Sequence, residues 1–394
     1  MAMESPFLIF KVECPICKTI NEHETIRVGA YAEEGRDTDF CPVNIRWRFP
    51  RYQAYNPLVF FTATCSNCYY SREFTNGFKD WKNDVNFKTY RLKTVKAKHL
   101  DQLSTADSVI KLMGTAVDVN RYPNESAILK LHLAIYDEQL AEHYSQLDVG
   151  RFYLRIAWVF RDMERTENPH RLMLAGLIHE IEDHYLRLQD QVRSVRTGTE
   201  ELSGALRCHF DSTQLSADYQ SQMLSFTERY DQATTNLNQG LTSFEGQMGS
   251  LKTLIDEYRL ALLGDGSGSN ERVFGAHQSF NHFLHQLRSS WTGVVTNERE
   301  ALEKAVLCYK DAFANGRDIA PGNQQIQASY LIAELSRRIG DYDEAKQYFT
   351  STIKSGQEFI YQNRQDQSRT ALARKILELA IEQGRANLAA SKPA

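Results

Sequence analysis

The sequence predicts a mostly α-helical protein that begins with a small β-rich domain and whose helical repeats are interrupted by a long coiled coil. Three observations lead to this fold class. Paired cysteines and strand-like runs lie before residue 90, helical periodicity begins near residue 95, and a regular apolar pattern runs from Leu174 to Leu262. The chain has 394 residues, which is too long for one ordinary core, so two or three domains are expected.

The β-rich domain is predicted to span residues 1–92. Phe7–Phe10 and Leu58–Thr62 are short apolar runs typical of strands, and glycines and prolines interrupt the chain between them. A domain of this size lacks the core that a larger one can bury, and an additional stabilising element is therefore expected.

That element is predicted to be a metal ion held by Cys14, Cys17, Cys65 and Cys68, which form a C-x2-C-x47-C-x2-C pattern. Two such pairs deliver four thiolates to one tetrahedral ion, and closed four-cysteine sites are structural rather than catalytic. The chain contains seven cysteines, and its N-terminus does not resemble a secretion signal, which favours metal over disulfides. We therefore expect one structural Zn²⁺ ion.

Two other interpretations of the cysteines remain open at this stage. Cys14-Pro15-Ile16-Cys17 is similar to a redox pair, but no βαβ pattern surrounds it and the second pair would have no role. Cys41 is either a fifth thiol near the metal or a small buried residue. We favour burial, because free cysteines pack well in protein cores.

The rest of the chain is predicted to be helical in four parts, at 93–170, 171–263, 264–296 and 297–394. The first is the beginning of the helical repeats, with helices at Ala127–Leu140 and Phe152–Phe160, and the third is a linker with a helix. The last carries helices near 297–314, 323–339, 343–355 and 367–389. Within it, the turn Gly340-Asp341-Tyr342 followed by Ala345 resembles a tetratricopeptide repeat.

The part at 171–263 is predicted to be a coiled coil or a helical hairpin. Its apolar residues alternate in spacings of four and three, as in a coiled-coil seam. The consecutive four-residue steps at Leu237 and Leu241 would unwind the supercoil locally. A fold-back near Gly198–Gly204 would give a self-paired hairpin, and an intermolecular coil is the alternative.

Several motifs together resemble one bacterial family, the domain-of-unknown-function family numbered 2225. They are Cys14–Cys17, Arg36–Cys41, Tyr55–Leu58, Cys65–Tyr70 and the helical segment Val149–Arg161. The resemblance implies a zinc-ribbon-like segment followed by tetratricopeptide-like helices. Tyr69 stands where a glycine usually follows the last cysteine, and the long coil looks inserted. The family supplies no agreed activity.

The favoured function is a non-enzymatic scaffold or adaptor that assembles through its repeats and its coil, with a protein partner, as a homo-oligomer, or both. No catalytic residue is assigned, because no nucleophile–base pair is visible. Forty-six basic and fifty acidic residues give a net charge of −4 and no case for nucleic acid as a partner. No run approaches the about 18 apolar residues of a spanning helix, so we expect a cytoplasmic protein without membrane insertion.

The sequence leaves two alternative functions open. Arg36, Asp37 and Asp39 could bind a metal and phosphate in a hydrolase, although a turn whose carboxylates accept backbone N–H groups is favoured. The basic run 79–98, with interleaved aromatic residues, could bind nucleic acid. A solvated edge is favoured there, because the net charge is acidic.

Overall fold

The computed structural model describes residues 5–49, 52, 55–166, 169–212, 217–262, 274, 277 and 279–391. The chain divides into two compact units. We call Met1–Met163 with Glu271–Ala394 the core unit, and Glu164–Asn270 the hairpin unit. Helices dominate both units, and within the described residues strands occur only before residue 75, which confirms the predicted fold class.

The N-terminal part of the core unit contains three two-stranded antiparallel sheets. Their strands are β1 (Phe7–Glu13) with β2 (Ile20–Ile26), β3 (Tyr31–Arg36) with β4 (Pro42–Trp47), and β5 (Thr62–Thr64) with β6 (Ser71–Glu73). The loops of the first and third sheets carry the two cysteine pairs, and the loop of the second carries Asp37 and Asp39. Each sheet thus presents one of the motifs that the sequence singled out.

The strand predicted at Leu58–Thr62 is wrong for most of its length. Pro57–Phe60 forms a 3-10 turn, and β5 begins only at Thr62. The Asn56 side chain caps this turn by accepting a hydrogen bond from the Leu58 N–H at 3.0 Å, and Pro57 fixes the backbone angle that the turn requires. The apolar residues of the run therefore serve a helical core, where Val59 is fully buried.

The helices of the core unit surround one large apolar cluster. They are α1 (Leu92–Ser104), α2 (Val109–Ala116), α3 (Pro123–Gln139), α4 (Gln146–Thr166), α7 (Phe280–Ser290), α8 (Glu298–Asn315), α9 (Asn323–Ile339), α10 (Tyr342–Gln362) and α11 (Gln367–Ala390), with π-helical turns at Phe74–Phe78 and Phe87–Arg91. α3 is central, since consecutive residues from Ser126 to Leu129 are fully buried. A helix that is apolar on every side belongs inside a core.

The turn between α9 and α10 forms where the Gly340-Asp341 pattern predicts it. Gly340 adopts a left-handed backbone with φ of 89°, which glycine tolerates without steric cost. The Asp341 side chain then caps α10 by accepting from the Glu344 N–H at 3.1 Å. A second apolar cluster, which includes Tyr330 and Phe349, joins these helices to α11.

The hairpin unit consists of two long helices, α5 (Pro169–Ser212) and α6 (Ala217–Leu262). Ion pairs join Arg196 to Glu245 at 3.0 Å and Lys252 to Glu182 at 3.6 Å. Because residue numbers rise along one helix as they fall along the other, the pairing is antiparallel and within the chain. The fold-back expected near Gly198–Gly204 is wrong, since both glycines lie inside α5, which continues to Ser212.

Among the described residues, no helix is both long enough and apolar enough to cross a bilayer.

Candidate functional site

The two cysteine pairs meet at one point of the core unit. The Sγ atoms of Cys14 and Cys68 lie 3.6 Å apart, and those of Cys17 and Cys65 lie 3.5 Å apart. All four sulfurs lie within 4.8 Å of one another. A tetrahedral ion with metal–sulfur bonds of about 2.3 Å needs sulfurs about 3.8 Å apart. The four cysteines therefore fit one four-coordinate metal ion, and the cluster can hold it.

The two cysteine loops share one backbone conformation. The residue after the second cysteine of each pair is left-handed, with φ of 67° at Lys18 and 63° at Tyr69. Its N–H donates to the carbonyl of the first cysteine, at 3.1 Å for Lys18 and 2.9 Å for Tyr69. The two loops thus present their sulfurs in the same way from opposite sides, although neither uses a glycine at the strained position.

The Tyr69 side chain makes a contact with α2 that a glycine at this position could not make. A Cβ atom placed on Gly114 of α2 would lie 2.1 Å from Cγ of the Tyr69 side chain. The tyrosine ring therefore packs directly on the α2 backbone, which only a glycine permits. The residue that departs from the family pattern anchors the second cysteine loop to the helices.

Polar groups around Cys65 support its thiolate form. The buried Asn21 donates from Nδ2 to Sγ of Cys65 at 3.4 Å and accepts from the Ser66 N–H at 2.8 Å. Hydrogen bonds among the thiols lower the pKa of Cys65 and raise those of Cys14 and Cys68. Such outer contacts orient ligands and favour the charged form that binds metal.

A fully buried histidine connects this site to the helices. His99 of α1 contacts the Cys68 carbonyl through Nε2 at 2.9 Å and the Asp137 carboxylate through Nδ1 at 2.7 Å. Asp137 of α3 also accepts from the Ser71 N–H at 2.7 Å. Sequence reasoning missed both residues. The only signal for Asp137 was its place at the end of the apolar run of α3, and the largely polar sequence of α1 gave no signal for His99.

Cys41 is not a member of the metal-binding group. Its side chain is buried in the loop before β4, and its thiol donates to the Pro42 carbonyl at 3.5 Å. This placement agrees with the interpretation of Cys41 as a small buried residue.

The Arg36, Asp37 and Asp39 motif separates in the structure. Arg36 is exposed and pairs with Glu33 at 3.2 Å. Asp39 is fully buried and accepts two hydrogen bonds from the guanidinium of Arg161 at 2.8 and 3.1 Å, and one from Trp158 Nε1 at 3.1 Å. The motif therefore does not converge on a common ligand site, because its arginine faces solvent and its second aspartate faces α4.

Asp37 joins the same network from the other side. Its carboxylate accepts from Arg161 at 3.2 Å and from Arg338 of α9 at 2.7 Å. Burial alone would raise the pKa of Asp37, but the Thr38 N–H and the two guanidinium groups hold it below its usual value. Arg161 also donates from Nε to Glu298 at 2.7 Å.

Glu334 of α9 completes the network. It is fully buried and accepts from Arg337 at 2.7 and 2.9 Å and from Arg338 at 2.9 Å. Nearby, the Tyr330 hydroxyl donates to the Thr38 carbonyl at 2.7 Å. Three arginines thus donate to four carboxylates and fasten the β3–β4 loop to α4 and α9. Sequence reasoning missed these arginines, which lie more than a hundred residues from the aspartates.

The basic run 79–98 does not form a stacking platform. Trp81 is buried and donates from Nε1 to the Glu13 carbonyl at 2.9 Å. Phe87 is buried beneath the Arg72 guanidinium, 4.1 Å from the ring centre. Nucleic-acid bases stack on exposed aromatic faces, and of the three interleaved aromatics Tyr90 alone is largely exposed. The geometry therefore gives no support to a nucleic-acid interface here.

The sequence profile of a family described as "Uncharacterized protein conserved in bacteria (DUF2225)" matches residues 9–188 and 207–372. The chain belongs to this family. The DUF2225 match contains the four cysteines, the β3–β4 loop and the arginines that hold it. It also contains parts of both hairpin helices, so that only residues 189–206 lie between the matched segments. No curated protein and no solved structure matches the chain.

Proposed function

We propose that this DUF2225 member is a non-enzymatic scaffold or adaptor, stabilised by one structural zinc ion, that assembles with proteins through its helical repeats and its coiled-coil hairpin. The observation that supports this proposal most strongly is the apolar surface of the hairpin. Large side chains such as Leu188, Leu202 and Phe226 are 40%, 53% and 49% exposed there. Exposed apolar surface of this extent is typical of protein interaction sites.

Zinc is proposed as the metal because four cysteine thiolates in a tetrahedral cluster suit it better than they suit magnesium or calcium, which prefer oxygen ligands. A site with four protein ligands leaves no position for substrate or catalytic water. Its contribution would be to hold the two cysteine loops together, and through them β1–β2 and β5–β6.

The proposed domain division follows the sequence, at 1–92, 93–170, 171–263, 264–296 and 297–394. Within the last of these, α8 to α11 with the turn at Gly340 and Asp341 are proposed to be tetratricopeptide-like. Repeats of this kind bind peptides or helices on an extended surface. The proposed location is the cytoplasm.

The carboxylates on which the enzyme alternative depends are engaged by other groups of the protein. A hydrolase at Asp37 and Asp39 would need carboxylate oxygens available to a metal ion or a substrate. Those of Asp39 accept hydrogen bonds from Arg161, Trp158 and the Cys41 N–H. The favoured role of this network is therefore to position the β3–β4 loop.

The test is crosslinked affinity capture of the full-length chain in its native host, followed by mapping of the crosslinked residues. The matched control is a chain in which a short glycine-serine linker replaces residues 171–262, with its zinc content measured to establish that the core unit is intact. We expect a defined partner whose crosslinks map to the hairpin or to α8–α11. Failure to find a partner, together with a hydrolytic turnover that Asp39→Asn abolishes in folded protein, would contradict the proposal.

A further inference from the structure

Where the structure describes them, the side chains between the two helices of the hairpin unit are largely polar. Along α5 the less exposed positions recur at spacings of three and four, as in a coiled-coil seam. They are Glu182, Tyr185, Gln189, Val192, Arg196, Thr199, Ser203 and Leu206. Most of these carry polar or charged groups, so the interface between α5 and α6 does not use the most apolar edge of α5.

That edge forms a separate ridge beside the seam. Ile181, Leu188, Val195 and Leu202 are 37%, 40%, 46% and 53% exposed. They are spaced by seven residues and therefore lie in one line along the helix. Leu188, Val195 and Leu202 each follow an inward-facing residue by three positions. α6 covers this ridge only in part.

α6 carries a matching ridge. Phe226, Leu237, Phe244 and Leu251 are 49%, 43%, 38% and 44% exposed. Each of them also follows a less exposed residue of the α6 seam by three positions. Those seam residues are Met223, Thr234, Leu241 and Met248.

Both ridges point to the same side of the hairpin. Viewed along the hairpin axis, the two antiparallel helices turn in opposite senses as the residue numbers rise, and they face the seam between them from opposite directions. Because the residues of both ridges follow a seam residue by three positions, the two ridges lie on the same side of the hairpin. We call these eight side chains the apolar face.

The apolar face has uncharged borders over its central part. Gln191, Gly198 and Ala205 flank the α5 ridge on its outer side, three residues after Leu188, Val195 and Leu202, and Gly240 and Gln247 do the same on α6. The small residues Gly198, Ala205 and Gly240 on these borders permit close approach of another helix. A helix that lies on a lipid surface instead carries lysine and arginine along the border of its apolar side, whereas Arg229, three residues after Phe226, is the one lysine or arginine among the eight equivalent border positions here.

Two ion pairs of the hairpin lie away from this face. Arg196 pairs with Glu245, and Lys252 with Glu182, at seam positions between α5 and α6. A two-helix unit with a largely polar seam and one apolar face corresponds to half of a four-helix bundle, in which each helix contacts two neighbours.

We propose that the apolar face pairs with the same face of a second copy of this chain, so that α5 and α6 of both copies form a four-helix bundle about a twofold axis. A face with two similar ridges and no charge is self-complementary, as a twofold interface requires. Eight side chains that each expose on the order of 100 Å² give roughly 800 Å² per copy, the size of a stable interface. This inference identifies a partner for the proposed assembly role and rests on that role.

The test is the mass of the full-length, metal-loaded chain in sedimentation equilibrium at micromolar concentrations. We expect two chains per particle. Leu188→Glu combined with Phe244→Glu should weaken self-association at least about 100-fold, because it places charges in the bundle interior. The matched control is Leu186→Glu combined with Leu224→Glu. These residues are 55% and 65% exposed, and each follows a seam residue by one position, which directs it to the opposite side. The control should change the dissociation constant only a few-fold.

A monomeric wild-type chain would overturn the inference whatever the variants do, and so would an equal effect of the two double variants. Circular dichroism reports whether each variant keeps its helices, and Leu188→Gln with Phe244→Gln replaces the first variant if it does not. A monomer that still captures a host partner would refute this inference alone. A dimer without any host partner would refute only the wider adaptor role.

Discussion

Arginine–carboxylate pairs occur in both the core unit and the hairpin unit, but their surroundings differ. Arg161 and Asp39 lie among apolar helices, with side chains 7% and 0% exposed. In the hairpin, Arg196 and Glu245 remain 38% and 40% exposed, while leucines and phenylalanines lie on the outside. The core unit thus encloses its own core, whereas among the described side chains of the hairpin unit only Val192, Met248 and Ile255 are apolar and buried. This difference is the basis of the proposal that the apolar face of the hairpin packs against a second copy of the chain.

The largest effect is expected from loss of the metal. Chelation, or Cys65→Ser, should unfold the N-terminal part of the core unit, because the free energy of structural zinc binding is comparable to the about 5–15 kcal/mol that stabilises a whole domain. The measurement is zinc content by mass spectrometry together with thermal unfolding. Cys41→Ser is the matched control and should retain one metal ion per chain. A metal-free chain that unfolds at the same temperature would exclude a structural metal.

The next largest effect concerns the buried charge network. Asp39→Ala leaves the Arg161 guanidinium without its two-bond partner and should lower the free energy of unfolding by about 3–5 kcal/mol. Chemical denaturation measures this loss. Arg36→Met, in the same motif but exposed, should change it by less than about 0.5 kcal/mol. Equal losses in the two variants would mean that the network does not hold the β3–β4 loop.

A smaller effect is expected from acid, through His132 of α3. Its Nδ1 donates to the Ile128 carbonyl at 3.0 Å and its Nε2 accepts from the Val295 N–H at 3.1 Å, so the ring is neutral. Burial lowers the pKa of His132 from 6.5 to about 4. Below pH 6.5 the unfolded chain therefore binds a proton that the folded chain does not, and stability falls.

The stability that the neutral His132 contributes is fully present above pH 6.5 and is lost as the pH falls to about 4. The total loss in the free energy of unfolding is about 3 kcal/mol. Urea unfolding at a series of pH values measures it. His132→Gln should lower stability at pH 7 and flatten the profile between pH 6.5 and 4. A parallel profile in the variant would show that His132 does not titrate in this range on unfolding.

The smallest effect is expected from the ion pair of the hairpin. Glu245→Gln should lower the free energy of unfolding by at most about 1 kcal/mol, because both partners are more than one-third exposed and solvent screens their attraction. Denaturation of the full-length chain, followed by helix content, measures it. A loss as large as that of Asp39→Ala would show that the hairpin encloses its charges as tightly as the core unit does.

The cysteine cluster and most helices were predictable because their signals are local. A C-x2-C pair sets two sulfurs through a single turn, and a helix repeats its apolar side every three or four residues. The helices predicted near 323–339 and 367–389 are observed at Asn323–Ile339 and Gln367–Ala390. Leu58–Thr62 was misassigned because β-branched and aromatic residues suit a strand as well as they suit the inside of a helical core.

The sequence by itself determined the two cysteine pairs of the cluster, the helical character and the heptad spacing, since each depends on residues a few positions apart. Only the tertiary structure decided that Arg161 and Arg338 neutralise Asp37 and Asp39, because contacts over such distances along the chain leave no periodic trace. It also decided which edge of the apolar stripe lies between α5 and α6. The spacing fixes a stripe on each helix, but the packing of one helix against the other selects the edge that remains exposed.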